Sequence, residues 1–239
     1  MESTAVQSAP PSAAERAARR KGAQAVLEVR GKSRLSPRLL RVTLGGDRYS
    51  ELRRNHHTDA YVKLLIASEE SGLLPPYDLD AIRESAPEHL PARRTYTVRH
   101  WDDDAQSLDI DVVLHGDGGD AGVAARWADT AQPGDRIALT GAGGGYSPEP
   151  ESTFHLLIGD HAALPAIAAA LESMEPAARG LALVHLDHEE DVLAIEHPEG
   201  VELRWVIGER EQLFDQVQAL DLSDTEGLQG FCHVERGLT

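Results

Sequence analysis

The 239 residues leave room for one large or two modest domains, and 41% apolar with 26% charged residues describes a soluble globular chain. A formal net charge of -17 argues against a general binder of nucleic acid or anionic membranes, and opposes an anionic substrate unless a local basic pocket overrides it. The single Cys232 excludes an intramolecular disulfide and any Cys-cluster metal site, no apolar run reaches membrane-span length, and the N-terminus lacks a signal peptide's apolar core, so a reducing, cytoplasmic location is expected.

Residues 1–21 are rich in Ala, Ser and Pro, end in Arg16, Arg19, Arg20 and Lys21, and contain no aromatic anchor, which predicts a flexible tail. Ala23–Val29 and Leu39–Leu44, the latter closed by Gly45-Gly46, read as two strands and a turn, and Tyr61–Ile66 as a third strand. Residues 68–92 carry Pro75-Pro76, Pro87 and Pro91 among acids, so a long surface excursion is expected, with one helical turn near Leu79–Arg83.

Arg94-Thr95-Tyr96-Thr97-Val98-Arg99 comes next, its β-branched residues favouring a strand. Alternation sends Arg94, Tyr96 and Val98 to one face and Thr95, Thr97 and Arg99 to the other. Such a segment offers a cation to a phosphate, a ring to a planar heterocycle and a hydrogen bond to a ring nitrogen, the needs of a flavin nucleotide. An ordinary exposed strand with scattered Arg and Tyr reads the same way. The chain then turns at Asp102-Asp103-Asp104 and returns through Leu108–Leu114 as a hairpin. His115-Gly116 opens a Gly-rich turn ending at Gly122, which feeds the helical pattern Val123–Ala128. The free N–H groups of such a helix start suit a phosphate. Pro133-Gly134-Asp135 is a turn, Arg136–Thr140 a strand, and Gly141–Gly145 a flexible loop at which the β-domain stops.

The second half changes grammar. Phe154–Ile158 is a continuous apolar run, Gly159-Asp160-His161 follows it, and a helix carries Leu164, Ile167, Leu171 and Met174 on one face with Pro165 in its first turn. Leu181–Leu186 and Val201–Ile207 are further strands, Gln212–Leu220 a helix, and Phe231–His233 a last short strand, where Cys232 reads as a small buried residue. Alternating strands and helices predict a parallel sheet. Trp127 and Trp205 read as core. His56-His57 and His185-x-Asp187-His188 read as surface histidines rather than a metal site.

Taken in order, Arg94–Arg99, His115-Gly116, Gly122–Ala128, Pro133-Gly134-Asp135 and Gly159–Ile167 resemble the signatures of the siderophore-interacting proteins, FAD-containing ferric-siderophore reductases of the ferredoxin reductase superfamily. The resemblance runs from about residue 23 to the end. It implies that Arg94 meets the FAD pyrophosphate, that Tyr96 and the adjoining Val98 segment lie along the flavin, and that Thr97 bonds near flavin N5 as the catalytic contact. It places Gly122 and the N–H groups of Val123, Ala124 and Ala125 at the phosphates, His115 near the adenine, Gly159 and Asp160 at a nicotinamide site, and Lys63 where the family carries a cation for its substrate.

Three positions depart from the family pattern. Its Gly-Pro-basic-Gly loop is replaced by Gly141–Gly145 without a cation. The Arg that follows the Trp of the third α/β strand is replaced by Gly208. Its Gly-Glu pair near the end is replaced by Val234-Glu235, and the family's following helix and tail have no counterpart after Thr239. Asp187, Glu189, Glu190 and Asp191 after the second strand would repel a 2'-phosphate, so NADH is expected over NADPH if a nicotinamide is used.

These readings together give a β plus α/β fold: a tail over 1–21, an antiparallel β-barrel FAD-binding domain over 22–150, and an abbreviated, parallel-sheet NAD(P)-binding-like domain over 151–239. The function expected is an FAD-dependent oxidoreductase passing electrons from NAD(P)H or a ferredoxin to a ferric siderophore, with no nucleic-acid or membrane partner. The alternative is an FAD-binding protein that has lost efficient reduction and serves as a non-reductive catalyst or ligand-binding module.

Overall fold

The computed structural model describes residues 23–114, 122–222 and 226–234. The expected N-terminal tail and His115-Gly116 lie outside the described residues.

Six strands close an antiparallel barrel in the order β1-β2-β5-β4-β3-β6, formed by β1 (Gln24–Ser36), β2 (Leu39–Gly45), β3 (Tyr61–Ile66), β4 (Ala92–Asp102), β5 (Ser107–Val113) and β6 (Arg136–Gly143). Alternation explains the inside: Leu27, Val42, Leu44, Val62, Leu64, Val98, Ile110 and Leu139 point inward and are almost fully buried. Each such side chain contributes about 1.5–3 kcal/mol of transfer free energy. Helix α1 (Leu79–Ser85) starts where the Asp78 carboxylate accepts from the Ala81 N–H at 3.0 Å, and it runs longer than the single turn expected because Ile82 packs under the barrel beside Val26 and Leu65. Helix α2 (Val123–Thr130) closes one end of the barrel through Ala124 and Ala128.

Four parallel strands follow in the order β10-β7-β8-β9, namely β7 (Phe154–Gly159), β8 (Gly180–Leu186), β9 (Val201–Ile207) and β10 (Leu228–His233). The central β7 and β8 are continuous apolar runs because both faces are covered. Helix α3 (Leu164–Ser173) packs Leu164, Ile167 and Leu171 on one face, and helix α4 (Glu211–Gln218) packs Leu213 on the other. Gly159 permits the α3 contact: a Cβ there would stand 2.6 Å from both Ala163 Cβ and Ile167 Cδ1.

The α3 core extends onto the outer face of the barrel through Leu39 and Val113. Two polar links join the same surfaces. Arg99 on β4 pairs with Glu172 on α3. The buried Asp191 carboxylate accepts from the Ser36 hydroxyl at 2.6 Å and from the Arg38 N–H and guanidinium at 3.0 Å each. Burial alone would raise the Asp191 pKa, but the bonds from Ser36 and Arg38 together hold it below the ordinary value.

Two local expectations change. Cys232 is exposed because β10 is an edge strand with β7 on one side only. His185 is buried in β8, and its Nε2 lies 2.6 Å from the Gly208 carbonyl. Among the described residues no helix is long and apolar enough to cross a membrane, and no group of three or more His, Cys, Asp or Glu side chains is placed to hold a metal ion.

Candidate functional site

The barrel has a gap. Strand β4 pairs with β3 over Ala92–Thr97, but its pairing with β5 is confined to Val98–Asp102 and begins opposite Ile110, beside a register shift at Val98/His100. The edges at Arg93–Thr97 and Asp111–Val113 therefore separate. The Val98 N–H donates to the Ala60 carbonyl at 2.7 Å on the β3 side. By antiparallel alternation, the N–H and C=O of Thr95 and Thr97 face the gap.

This gap opens into a cavity of about 620 Å³ between the barrel and the parallel sheet. Its barrel wall is Asp59, Tyr61, Arg94, Thr95, Tyr96, Thr97, Asp111 and Val113. Its opposite wall gathers at the carboxyl ends of the parallel strands: Asp160, His161, Ala162 and Ala163 after β7, His185 and Asp187 at the end of β8, Arg210 at the start of α4, and Phe231 and His233 on β10. The carboxyl edge of a parallel sheet is where α/β folds bind ligands.

The charges are arranged unevenly. Arg94 is exposed, donates to the neighbouring Arg93 carbonyl at 3.0 Å, and makes no ion pair among the described residues. Tyr96 is half-buried against the barrel core, and burial pushes its phenol up to about 12 against the pull of Arg94. Asp111 is held by Arg41 in a bidentate pair at 2.7 and 2.8 Å, which raises the Arg41 pKa against the opposing effect of burial. The Asp160 carboxylate accepts from the Ala162 and Ala163 N–H groups at 3.1 and 3.2 Å and pairs with Arg210 at 3.2 Å. Burial lowers the His161 pKa, against the upward pull of Asp191, Asp187 and Asp160.

A second cavity, of about 750 Å³, lies around α2 and the start of β4, lined by Ala92, Leu114, Val123, Ala125, Arg126 and Trp127 among others. Gly122 is the N-cap of α2 and supplies no side chain, so among the described residues no side chain caps the first N–H groups of that helix.

The sequence-predicted residues thus divide. Arg94, Tyr96, Thr97 and Asp160 line the first cavity; Val123 and Ala125 line the second. The Val98 side chain is in the barrel core, and Ala124 is buried on the barrel-facing side of α2. Gly159 serves the close packing of α3. Lys63 stands opposite Thr95 on the outer face of β3, with its ammonium 5.8 Å from the Tyr61 ring, and is not part of the cavity wall. Asp191, grouped in the sequence with acids facing a nucleotide, turns instead to Ser36 and Arg38.

Lining residues that escaped the sequence reading include Asp59, Tyr61, Asp111 and Arg210. The Gly141–Gly145 run is shaped by two of them. A Cβ on Gly143 would fall inside the Tyr61 ring, and Asp59 Oδ1 accepts from the Gly145 and Tyr146 N–H groups at 2.8 and 2.9 Å. Arg210 supplies the cation that Gly208 lacks, because Gly208 at φ +111° turns the chain and the next residues re-enter the cavity. Asp111 was visible as an outward carboxylate between the inward Ile110 and Val112, a position that needs a partner when its face is covered.

A closed antiparallel barrel joined to a parallel α/β sheet, with a cleft between them, defines the ferredoxin reductase class of fold. A ferredoxin-NADP+ reductase from Plasmodium falciparum shares it at a TM-score of 0.61 and 11% identity, over 87% of this chain and 85% of that chain. Residues 28–146 match the family model of the siderophore-interacting FAD-binding domain, and residues 153–239 that of the siderophore-interacting protein; the chain belongs to the siderophore-interacting protein family. A crystal structure of a siderophore utilization protein from T. fusca is similar at 30% identity and a TM-score of 0.72, over 87% of this chain and 80% of that chain. An uncharacterized protein of Mycobacterium tuberculosis is 38% identical over 87% of this chain and 76% of its own length. The ferric vibriobactin reductase ViuB of Vibrio cholerae is 35% identical over 76% of this chain and 65% of its own length.

Proposed function

We propose that this chain holds FAD across the β4–β5 gap and delivers electrons to a ferric chelate, a siderophore-type substrate, bound in the cleft between barrel and sheet. The observation that carries the reading is the open edge itself: Arg94, Tyr96 and Thr97 stand on a stretch of β4 that pairs with β3 but not with β5, with a cavity in front of them. The residues fit the group. A guanidinium that is exposed and makes no ion pair among the described residues matches a pyrophosphate, the α2 start, with a Gly N-cap, matches a second phosphate contact, and gap-facing Thr95 and Thr97 backbone groups match the hydrogen-bonding edge of a flavin.

Bound FAD supplies the ability to accept a hydride and to release electrons singly, as reduction of Fe(III) requires. The chain's own residues do the rest. Arg94 would hold the phosphate, Tyr96 would lie along the flavin, and Thr97 would make the catalytic contact to it. Backbone groups of Gly122, Val123, Ala124 and Ala125 complete the phosphate site. Arg210 meets an anionic substituent of the chelate, while Asp160 keeps that guanidinium aimed into the cavity. The start of helix α3, through Pro165 and Ala166, forms part of the cleft wall.

For the donor, the exposed Asp187 carboxylate in the cavity wall disfavours a 2'-phosphate, which supports NADH over NADPH. Anaerobic stopped-flow tests this reading. Reduction of the loaded protein by NADH, followed by reoxidation with a ferric siderophore and capture of Fe(II) by a chromogenic chelator, is the expected sequence. Reoxidation without any Fe(II) would overturn it.

A further inference from the structure

The wall of the first cavity contains an ion pair with a fixed direction. Asp111 lines both this cavity and a smaller pocket beside it, whereas its partner Arg41 lines only the smaller one, with Arg99 and Leu164. Register explains the order, because Arg41 and Asp111 are directly opposed on β2 and β5, and Thr43 and Asp109 form the next pair on the same outward face. Both Arg41 contacts to Asp111 are short, and the Asp111 side chain is 3% exposed, so the carboxylate is fixed. The surrounding network is not neutral: Asp109, Asp111 and Glu172 face Arg41 and Arg99, three carboxylates against two guanidiniums.

From this geometry we propose that the Asp111–Arg41 pair sets the reduction potential of the bound flavin, holding it low so that the reduced protein is a stronger reductant. The inference rests on the FAD reading above. Reduction adds negative charge to the ring. A fixed carboxylate at the wall, with its counter-charge behind it and one surplus negative charge in the network, opposes that addition. Burial of the Asp111 side chain lowers the dielectric around it, and Coulomb energy scales inversely with the local dielectric. Lys63 lies outside the cavity wall, Arg94 stands on the opposite edge of the gap, and Arg210 on the facing wall is paired with Asp160, so Arg41 is the cation that holds Asp111.

The test is an anaerobic reductive titration of the FAD-loaded protein against a dye of known potential, with bound FAD per chain measured first. Asp111→Asn shifts the dye equilibrium toward reduced FAD by about tenfold, about 30 mV for a two-electron couple. Arg41→Gln shifts it the opposite way. Glu172→Gln removes a half-exposed carboxylate of the same network and gives a smaller shift in the Asp111→Asn direction, which keeps the test decisive if Asp111→Asn does not fold. Loaded variants that titrate at the wild-type potential, or Asp111→Asn and Glu172→Gln shifts to lower potential, overturn the inference while leaving the FAD reading intact. A wild-type chain that takes up no FAD overturns both.

Discussion

The Arg210 guanidinium reaches back from the start of α4 to the Asp160 carboxylate at 3.2 Å, although 50 residues separate them in the chain. Asp160 is already committed to the Ala162 and Ala163 N–H groups, so it fixes the first turn of the β7–α3 connection as well as the direction of the cation. Arg210→Ala should raise the KM for an anionic ferric chelate about tenfold, the value of one charge-assisted hydrogen bond at about 1.5 kcal/mol, with FAD affinity unchanged. Steady-state kinetics with anionic and neutral chelates checks this. Equal losses for both chelates would contradict it.

Arg94 presents the opposite case, an exposed cation that makes no ion pair among the described residues. Arg94→Ala should leave the urea midpoint within error of the parent and weaken FAD binding by about 10- to 100-fold, from loss of about 1.5–3 kcal/mol of charge-assisted contact. Arg94→Lys should restore only part of it, because an ammonium cannot reproduce the planar fork. Quenching of FAD fluorescence measures both.

Asp191 ties β8's end to the β1–β2 turn, and its lowered pKa makes that tie pH-dependent. A depressed folded-state pKa means the contribution is fully present above the unfolded value of 3.8 and is lost as pH falls through the folded value. Asp191→Asn should therefore cost about 1–3 kcal/mol at pH 7, and the gap from the parent should narrow below about pH 4. Denaturant curves at several pH values test the sign.

Gly159 has no room for a methyl group. Gly159→Ala should destabilise by about 1–3 kcal/mol through overpacking against Ala163 and Ile167, seen as a lower thermal midpoint. Ala163→Gly in the same chain should recover part of the loss.

For the donor, flavin reduction should be faster with NADH than with NADPH, and Asp187→Ser should narrow the difference. A wild-type preference for NADPH would contradict the role given to Asp187.

Much of this was legible in the residues. The alternation of Arg94–Arg99 places Val98 in the barrel core and directs Arg99 outward to Glu172, and the Leu164, Ile167, Leu171 stripe packs on the sheet as its spacing requires. What was not legible depends on contacts distant in sequence. Cys232 alternates like a core residue, yet nothing local says that β10 is an edge strand. His185 looks like a surface histidine until the Gly208 carbonyl, 23 residues later, arrives beside it. Asp191 reads as one acid in a cluster, and its partners Ser36 and Arg38 are 155 and 153 residues away. Arg210 was hidden by counting along a strand that Gly208 had already turned.

Visible absorption of the purified chain, after incubation with excess FAD and removal of the unbound fraction, tests whether the β4–β5 gap holds FAD. A yellow protein with one FAD per chain is expected, with a sharp loss of that stoichiometry in Arg94→Ala at low micromolar concentration. A colourless protein that retains no FAD, with its fold intact by circular dichroism, would contradict it.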